Sequence, residues 1–265
     1  MSLVVKKTRA IIDPANFKFK ILLYGLPGIG KTEWLSTAPD IGIAACETGI
    51  GKGLLTIAQK DLEYVEPSNL AELESFCNAS VFKDKQSIGL DSMSWMSKSF
   101  IREAALAIPR KQGDAQKRAQ GVPEIDDYQV MAEISRRLLA KLLERNQHLI
   151  VTATEKSIDT ADGGTMYVPD LPGALALTCT AMFDFVFRMR TRQKFADRTK
   201  PESRYVERYL VTQPDGLSTL AKCRPNNIEK ALLPSEVVFD RRTGEGSFPW
   251  CLAKILEEYG KLPPQ

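Results

Sequence analysis

The sequence predicts an α/β protein: a mostly parallel central sheet, helices on both of its faces, and a late antiparallel β-hairpin at one edge. Three observations predict this. Short, continuously apolar runs alternate with segments of helical spacing, a glycine-rich turn joins the first run to the first helix, and the later strands flank tight-turn residues.

The elements follow in order. Residues 1–16 read as an N-terminal arm ending near Pro14. "FKFKILLYG" alternates and then turns continuously apolar, as a strand entering a buried parallel sheet does. The glycine turn and a helix from about Thr32 come next, then a second buried strand, "IGIAAC", Ile41–Cys46. "LEYV" is a short strand, and "SNLAELESFCNA" a helix capped by Ser68 or Asn69. "SIGLDS" is a third buried strand ending in Asp91, and "WMSKSFIREAALAI" is helical. "PRKQGDAQKRAQGVPEIDD" is polar, basic and glycine-containing, which predicts a loop. Val130, Ile134, Leu138 and Leu142, with Met131 and Leu139 beside them, give the clearest amphipathic helix. "HLIVTAT" follows as a strand, "EKSIDTADGGTMYVPDLPG" as a second long loop, and "FDFVFRMR" as a further strand. "RYLVT" and "STLAKC" predict the hairpin around "QPDG", and "PWCLAKILEEYG" a closing helix. The economical division is an arm at 1–16, one core at 17–224, and an extension at 225–265 that packs on the core or on a neighbour.

Composition narrows the function classes. Of 265 residues, 43% are hydrophobic and 26% charged, as in an ordinary soluble domain able to bury a full core. Five scattered cysteines without a CxxC pair read as reduced, mostly buried thiols, and His148 as the one histidine excludes a His-rich metal centre. The N-terminus carries no leader pattern, and no run reaches the ~20 apolar residues of a membrane span. A cytoplasmic protein, with no membrane partner, is expected. The net charge of +3 says little by itself.

Gly25-Leu26-Pro27-Gly28-Ile29-Gly30-Lys31-Thr32 fits GxxxxGK[ST], between a strand and a helix. Glycines let the backbone curl until several N–H groups point at one phosphate. Lys31 reaches the terminal phosphates, and the Thr32 hydroxyl is a ligand for Mg²⁺. The expected occupant is a nucleoside triphosphate, ATP with Mg²⁺, held by residues Gly25 to Glu33. Asp91, at the end of a buried strand, suits a second metal-side carboxylate acting through water. Ser92 rather than a glutamate follows it, so another residue must activate water. Glu47 lies at the carboxyl end of the strand after the P-loop helix, where ligands gather in open α/β sheets. It is either that base or a cap on the next turn.

This order of landmarks resembles the RecA/RadA recombinase core, and in particular the small core-only RecA-like ATPases of bacteriophages, including the single-strand annealing group. The resemblance runs from about Phe19 to Arg224. It implies that Gly25, Gly28, Gly30, Lys31 and Thr32 hold phosphates and Mg²⁺, that Glu47 is the catalytic carboxylate, and that Asp91 serves the metal. "TATEK" corresponds to the sensor strand end, where RecA proteins carry glutamine; this chain offers Thr154 or Glu155 instead. "AKCRP" resembles the Lys-x-Arg finger that one subunit inserts into its neighbour's site, which gives Lys222 and Arg224 catalytic roles. It also implies self-association as a filament or ring with ATP at the subunit interfaces.

Single-stranded DNA is the partner expected from the resemblance together with the charge pattern, with a single-strand DNA-binding protein as an accessory. Arg188, Arg190, Arg192 and Lys194 alternate, so an extended chain places them on one side. Arg110, Lys111, Lys117 and Arg118 crowd the first loop. Such clusters suit a phosphate backbone, and an ordinary solvated surface is the competing reading. By resemblance, residues 110–126 and 157–172 line the DNA channel, with Met166 and Tyr167 either stacking on bases or packing. The function expected is DNA recombination, by annealing or strand exchange, driven by ATP hydrolysis. Helicase- or packaging-type motors, a nucleotide-gated DNA-binding module with little turnover, and a small-molecule kinase remain as alternatives.

Overall fold

The computed structural model describes residues 17–47, 50–78, 81–108, 121–197, 199–215, 218–223 and 232–261. Its strands are β1 (Lys20–Gly25), β2 (Ile41–Ala45), β3 (Glu63–Val65), β4 (Ser87–Asp91), β5 (His148–Asp159), β6 (Thr165–Pro169), β7 (Phe185–Phe195), β8 (Arg204–Val211), β9 (Lys222–Cys223) and β10 (Glu236–Phe239). The helices are α1 (Lys31–Leu35), α2 (Leu70–Cys77), α3 (Met93–Lys98), α4 (Phe100–Ala107), α5 (Ile125–Glu144), α6 (Leu175–Thr178) and α7 (Phe248–Lys261).

The sheet runs β10-β8-β7-β1-β5-β4-β2-β3. Pairs from β7 through β1, β5, β4 and β2 to β3 are parallel. The β7–β8 and β8–β10 pairs are antiparallel. This is the expected architecture, since every residue of β1, β2 and β4 is buried, as strands covered on both faces must be. One apolar layer, with Phe76, Met96, Leu138 and Leu142, packs against one face. The other layer, with Phe19, Trp34, Phe185, Phe187 and Phe248, packs against the opposite face.

Local chemistry sets the ends of the elements. Asn69 caps α2 by accepting from the Glu72 amide at 3.0 Å, and the Glu72 carboxylate accepts from the Ser68 amide at 2.8 Å. This is a reciprocal capping arrangement. Helix α5 starts on a similar box, with Glu124 N–H donating to Asp127 at 2.8 Å. Its buried stripe is centred on Met131, Ser135, Leu138 and Leu142, one residue round from the expected line; Val130 and Ile134 sit at its margin. The helix expected from Trp95 to Ile108 breaks at Ser99 into α3 and α4.

Two segments differ from expectation. The second long loop is a hairpin: β5 continues to Asp159 and pairs antiparallel with β6, Ser157 opposite Tyr167. The late hairpin also lies elsewhere than "QPDG". β8 pairs with β7 around the turn at 196–203, whereas β9 pairs with the base of β7, Phe185 opposite Cys223. Both β8 and β9 are partners of β7 and do not pair with each other. Alternation identifies such strands but does not choose among partners.

The C-terminal residues complete the core. Phe248, Cys251 and Ile255 on α7 are fully buried, and the Phe248 ring meets Phe19 at 5.2 Å and Trp34 at 5.9 Å. Burying such a side chain stabilises by ~1.5–3 kcal/mol. All five cysteines are buried thiols. No helix among the described residues is long and apolar enough to cross a membrane.

His148 is structural. Its Nδ1 accepts from the Phe19 amide at 2.9 Å, and its ring meets Phe248 at 5.2 Å. Burial, then the charges of Lys18 and Lys20, lower its pKa from 6.5 to about 4. Between those values the unfolded chain binds a proton that the folded chain refuses, so stability is complete above pH 6.5 and declines as pH falls towards 4. The loss should reach about 3 kcal/mol. Urea titrations at stepped pH check it: His148→Gln should flatten this part of the profile, and an unchanged slope would count against the assignment.

Candidate nucleotide site

The loop between β1 and α1 is shaped by its glycines. Gly28 (φ 75°) and Gly30 (φ 106°) adopt left-handed backbone that other residues resist. Gly25 is needed for space, because a Cβ there would lie 2.5 Å from the Met189 carbonyl oxygen of β7. Lys31 Nζ turns back over the loop and donates to the Gly25 and Leu26 carbonyls at 2.9 and 2.7 Å. Helix α1 has only five residues, so its dipole is small, and the groups present that can attract an anion are the loop's amides and Lys31.

Strands β1, β5, β4 and β2 bring the other groups together towards their carboxyl ends. Thr32 Oγ1 donates to Asp91 Oδ2 at 2.7 Å, and the Thr152 hydroxyl of β5 donates to Asp91 Oδ1. Asp91, 3% exposed, is thus oriented through both oxygens. Ser92 Oγ donates to Glu47 Oε1 at 3.3 Å, which aims the second carboxylate. A hydroxyl and a carboxylate side by side are hard oxygen donors suited to Mg²⁺, which keeps waters and substrate oxygens in its shell. Among the described residues no cluster of three or more His, Cys, Asp or Glu forms an all-protein metal cage.

The electrostatics are matched. Burial lowers the Lys31 pKa from its ordinary value, while Asp91, Glu47 and Glu155 pull the other way. Burial and then the neighbouring Asp91 raise the Glu47 pKa, against the Ser92 hydrogen bond and Lys31. A carboxylate moved towards neutrality is a better proton acceptor for water than an ordinary one.

The remaining expected site residues are placed as follows. The Thr154 amide donates to Ser94 Oγ at 3.0 Å, and its carbonyl accepts from Asp170 N at 2.8 Å. Glu155 is held in a buried ion pair by Arg188, at 2.9 and 3.3 Å, rather than standing free at the strand end. Arg188 also bonds Thr219 and stacks 3.9 Å from the Tyr167 ring centroid. Tyr167 therefore packs within the fold. Lys222 Nζ donates to the Thr180 carbonyl of its own chain at 2.9 Å. Arg192 pairs with Glu207 and Glu236 at 2.6 Å each, and Lys194 with Glu207 at 2.7 Å, so most of this basic run is neutralised within the sheet. Arg190 is exposed. Arg110, Lys111, Lys117, Arg118 and Arg224 lie outside the described residues.

Three contributors escaped sequence reasoning. Thr152 had a readable signal, since a hydroxyl in a wholly buried strand needs a partner. Ser94 had none, because its bond to Thr154 depends on β4 lying beside β5; nor had Arg208, whose guanidinium bonds the Glu33 carboxylate of α1 only because β8 reaches that helix by way of β7 and β1.

No curated protein matches this sequence. Among solved structures, a KaiC-like protein from the hyperthermophilic archaeon Pyrococcus horikoshii OT3 is 14% identical, covering 83% of this chain and 84% of its own, with a TM-score of 0.44. The flagellar accessory protein FlaH from Methanocaldococcus jannaschii is 11% identical, covering 92% and 96%, with a TM-score of 0.42. Likenesses this distant carry no argument about activity. A family model described as an AAA domain matches residues 18–223, from just before β1 through β9. With the P-loop, Thr32 and Asp91 disposed as described, the chain belongs to the AAA domain family of P-loop nucleoside-triphosphate-binding proteins.

Proposed function

We propose that this protein binds and hydrolyses ATP as a RecA-like recombination ATPase acting on single-stranded DNA, of the kind found in small core-only bacteriophage ATPases. The observation that carries the reading is the Thr32–Asp91 contact beside the glycine loop, with Glu47 aimed by Ser92 at the same edge. In this reading the loop amides and Lys31 hold the triphosphate, Lys31 exchanging its two carbonyl partners for phosphate oxygens. Glu47 accepts the proton of the attacking water, and Ser92 fixes its orientation. Bound Mg²⁺ would neutralise phosphate charge, with Thr32 and Asp91 as the residues that hold it and Thr152 orienting Asp91.

The DNA part rests on charge and shape. A cleft of about 450 Å³ between α3, α4, α5 and the β5–β6 hairpin is lined by Lys98, Arg102, Tyr128 and Lys156, with one lining acid, Asp170, paired to Lys98 and 3.8 Å from Lys156, so the cleft keeps a net positive charge. Cations beside an exposed aromatic suit single strands. The test is ATPase rate with and without single-stranded DNA across a salt series. Stimulation that fades steeply with salt is expected, and turnover indifferent to DNA at every salt concentration would remove the DNA partner from the proposal.

One observation favours a second reading. Glu155, at the sensor position, is engaged by Arg188, which suits a nucleotide-gated DNA-binding module with little turnover. DNA binding that depends on ATP but persists without measurable hydrolysis would select it. Self-association with Lys222 and Arg224 reaching a neighbour's nucleotide is part of the primary proposal, which requires Lys222 to give up its bond to the Thr180 carbonyl; sedimentation with and without ATP tests it.

A further inference from the structure

Glu33 follows the phosphate-binding turn directly, and it is buried, only 5% exposed. A shielded carboxylate at that place repels any polyanion entering the loop. Two guanidinium groups oppose it: Arg208 of β8 bonds Oε2, and Arg241, just beyond β10, meets Oε1. The three side chains together carry one net positive charge. Arg208 also lies on the loop itself, since a Cβ placed on Gly30 would come within 3.3 Å of its Cζ, Nε and Nη1. The pairing of β8 with β7, Thr191 opposite Arg208, sets this position, because β7 in turn pairs with β1. Neither arginine belongs to the motif that marks the site in sequence.

We propose that Arg208 is a phosphate-contacting cation of the nucleotide site, supplied by the same chain and held beside Gly30 by Glu33. The inference rests on the ATP-binding reading and adds a residue to it. A guanidinium offers five donors in a rigid fork, so Arg208 can keep its bond to Glu33 and give another N–H to a phosphate oxygen. Arg241 offsets the second Glu33 oxygen, so the carboxylate does not compete for the whole of Arg208. Arg208 is not closed off by these contacts: its side chain stays 34% exposed, and with Arg241 it borders a cleft of about 850 Å³ over the paired strands β8 and β10.

The test is titration of Mg-ATP and of inorganic tripolyphosphate, which lacks base and sugar, against wild type, Arg208→Ala and Arg208→Lys. Arg208→Ala should weaken both ligands by about tenfold or more, as loss of a charge-assisted hydrogen bond does. Arg208→Lys should recover part of that loss. Should the alanine variant not fold, Arg208→Gln keeps the side chain over Gly30 without its charge and is read by the same criterion. Affinity within about twofold of wild type, or a loss for ATP that tripolyphosphate does not share, overturns the proposal. Wild-type protein that binds neither ligand would instead overturn the ATP-binding reading, and Arg208's role with it.

Discussion

Replacing Lys31 with alanine is expected to weaken Mg-ATP binding at least a hundredfold, or about 3 kcal/mol, the scale of charged hydrogen bonds in a shielded site. Lys31 is 8% exposed, desolvated by the loop that surrounds it, and its ammonium group is satisfied by the Gly25 and Leu26 carbonyls of that loop. Its hydration has therefore been given up before the nucleotide arrives, and a triphosphate offers it a stronger partner than either carbonyl. Titration calorimetry measures the loss, and a melting curve for the variant confirms that the fold persists. Wild-type affinity in Lys31→Ala would mean that the glycine loop is not the phosphate site.

Glu47→Gln should behave differently, binding ATP within a few-fold of wild type and hydrolysing it a hundred- to a thousandfold more slowly, about what general bases contribute. The amide keeps the size of the carboxylate and can still accept from Ser92, so the site's shape survives while its proton acceptor does not. Wild-type turnover should also show an acidic limb above the ordinary glutamate value of 4.5, because burial and Asp91 raise Glu47. The base is active when ionised, so activity falls as pH drops through that raised value. A variant that turns over at the wild-type rate would transfer the role to another group.

Much of the fold was legible because its signals are local. The buried strands β1, β2, β4 and the first half of β5 announce themselves as apolar runs, and the Asn69 cap and the stripe on α5 follow from neighbours within one or two turns. The loop from Gly25 to Thr32 was legible in full, since its chemistry sits in eight consecutive residues. What sequence could not supply was pairing across distance. Arg188, Arg192 and Lys194 read as one basic face, yet Glu155, Glu207 and Glu236 come from other strands to neutralise them. The β5–β6 hairpin was hidden by its glycine-rich turn and by polar residues that read as loop. Alternation in "TMYVP" is too short to distinguish an edge strand from an irregular segment.

The Trp34 indole on α1 donates to the Gly246 carbonyl at 2.6 Å, and the Phe248 amide donates to Thr37 Oγ1 at 2.9 Å. The support beneath the nucleotide loop is thus contributed by residues more than two hundred positions away in the sequence. During synthesis on the ribosome, the segment bearing Lys31 emerges long before its buttress does. In the proposed nucleotide-binding reading, the segment following the loop acquires these two hydrogen bonds only once residues 246–248 have been made, which ties phosphate capture to late-synthesised chain.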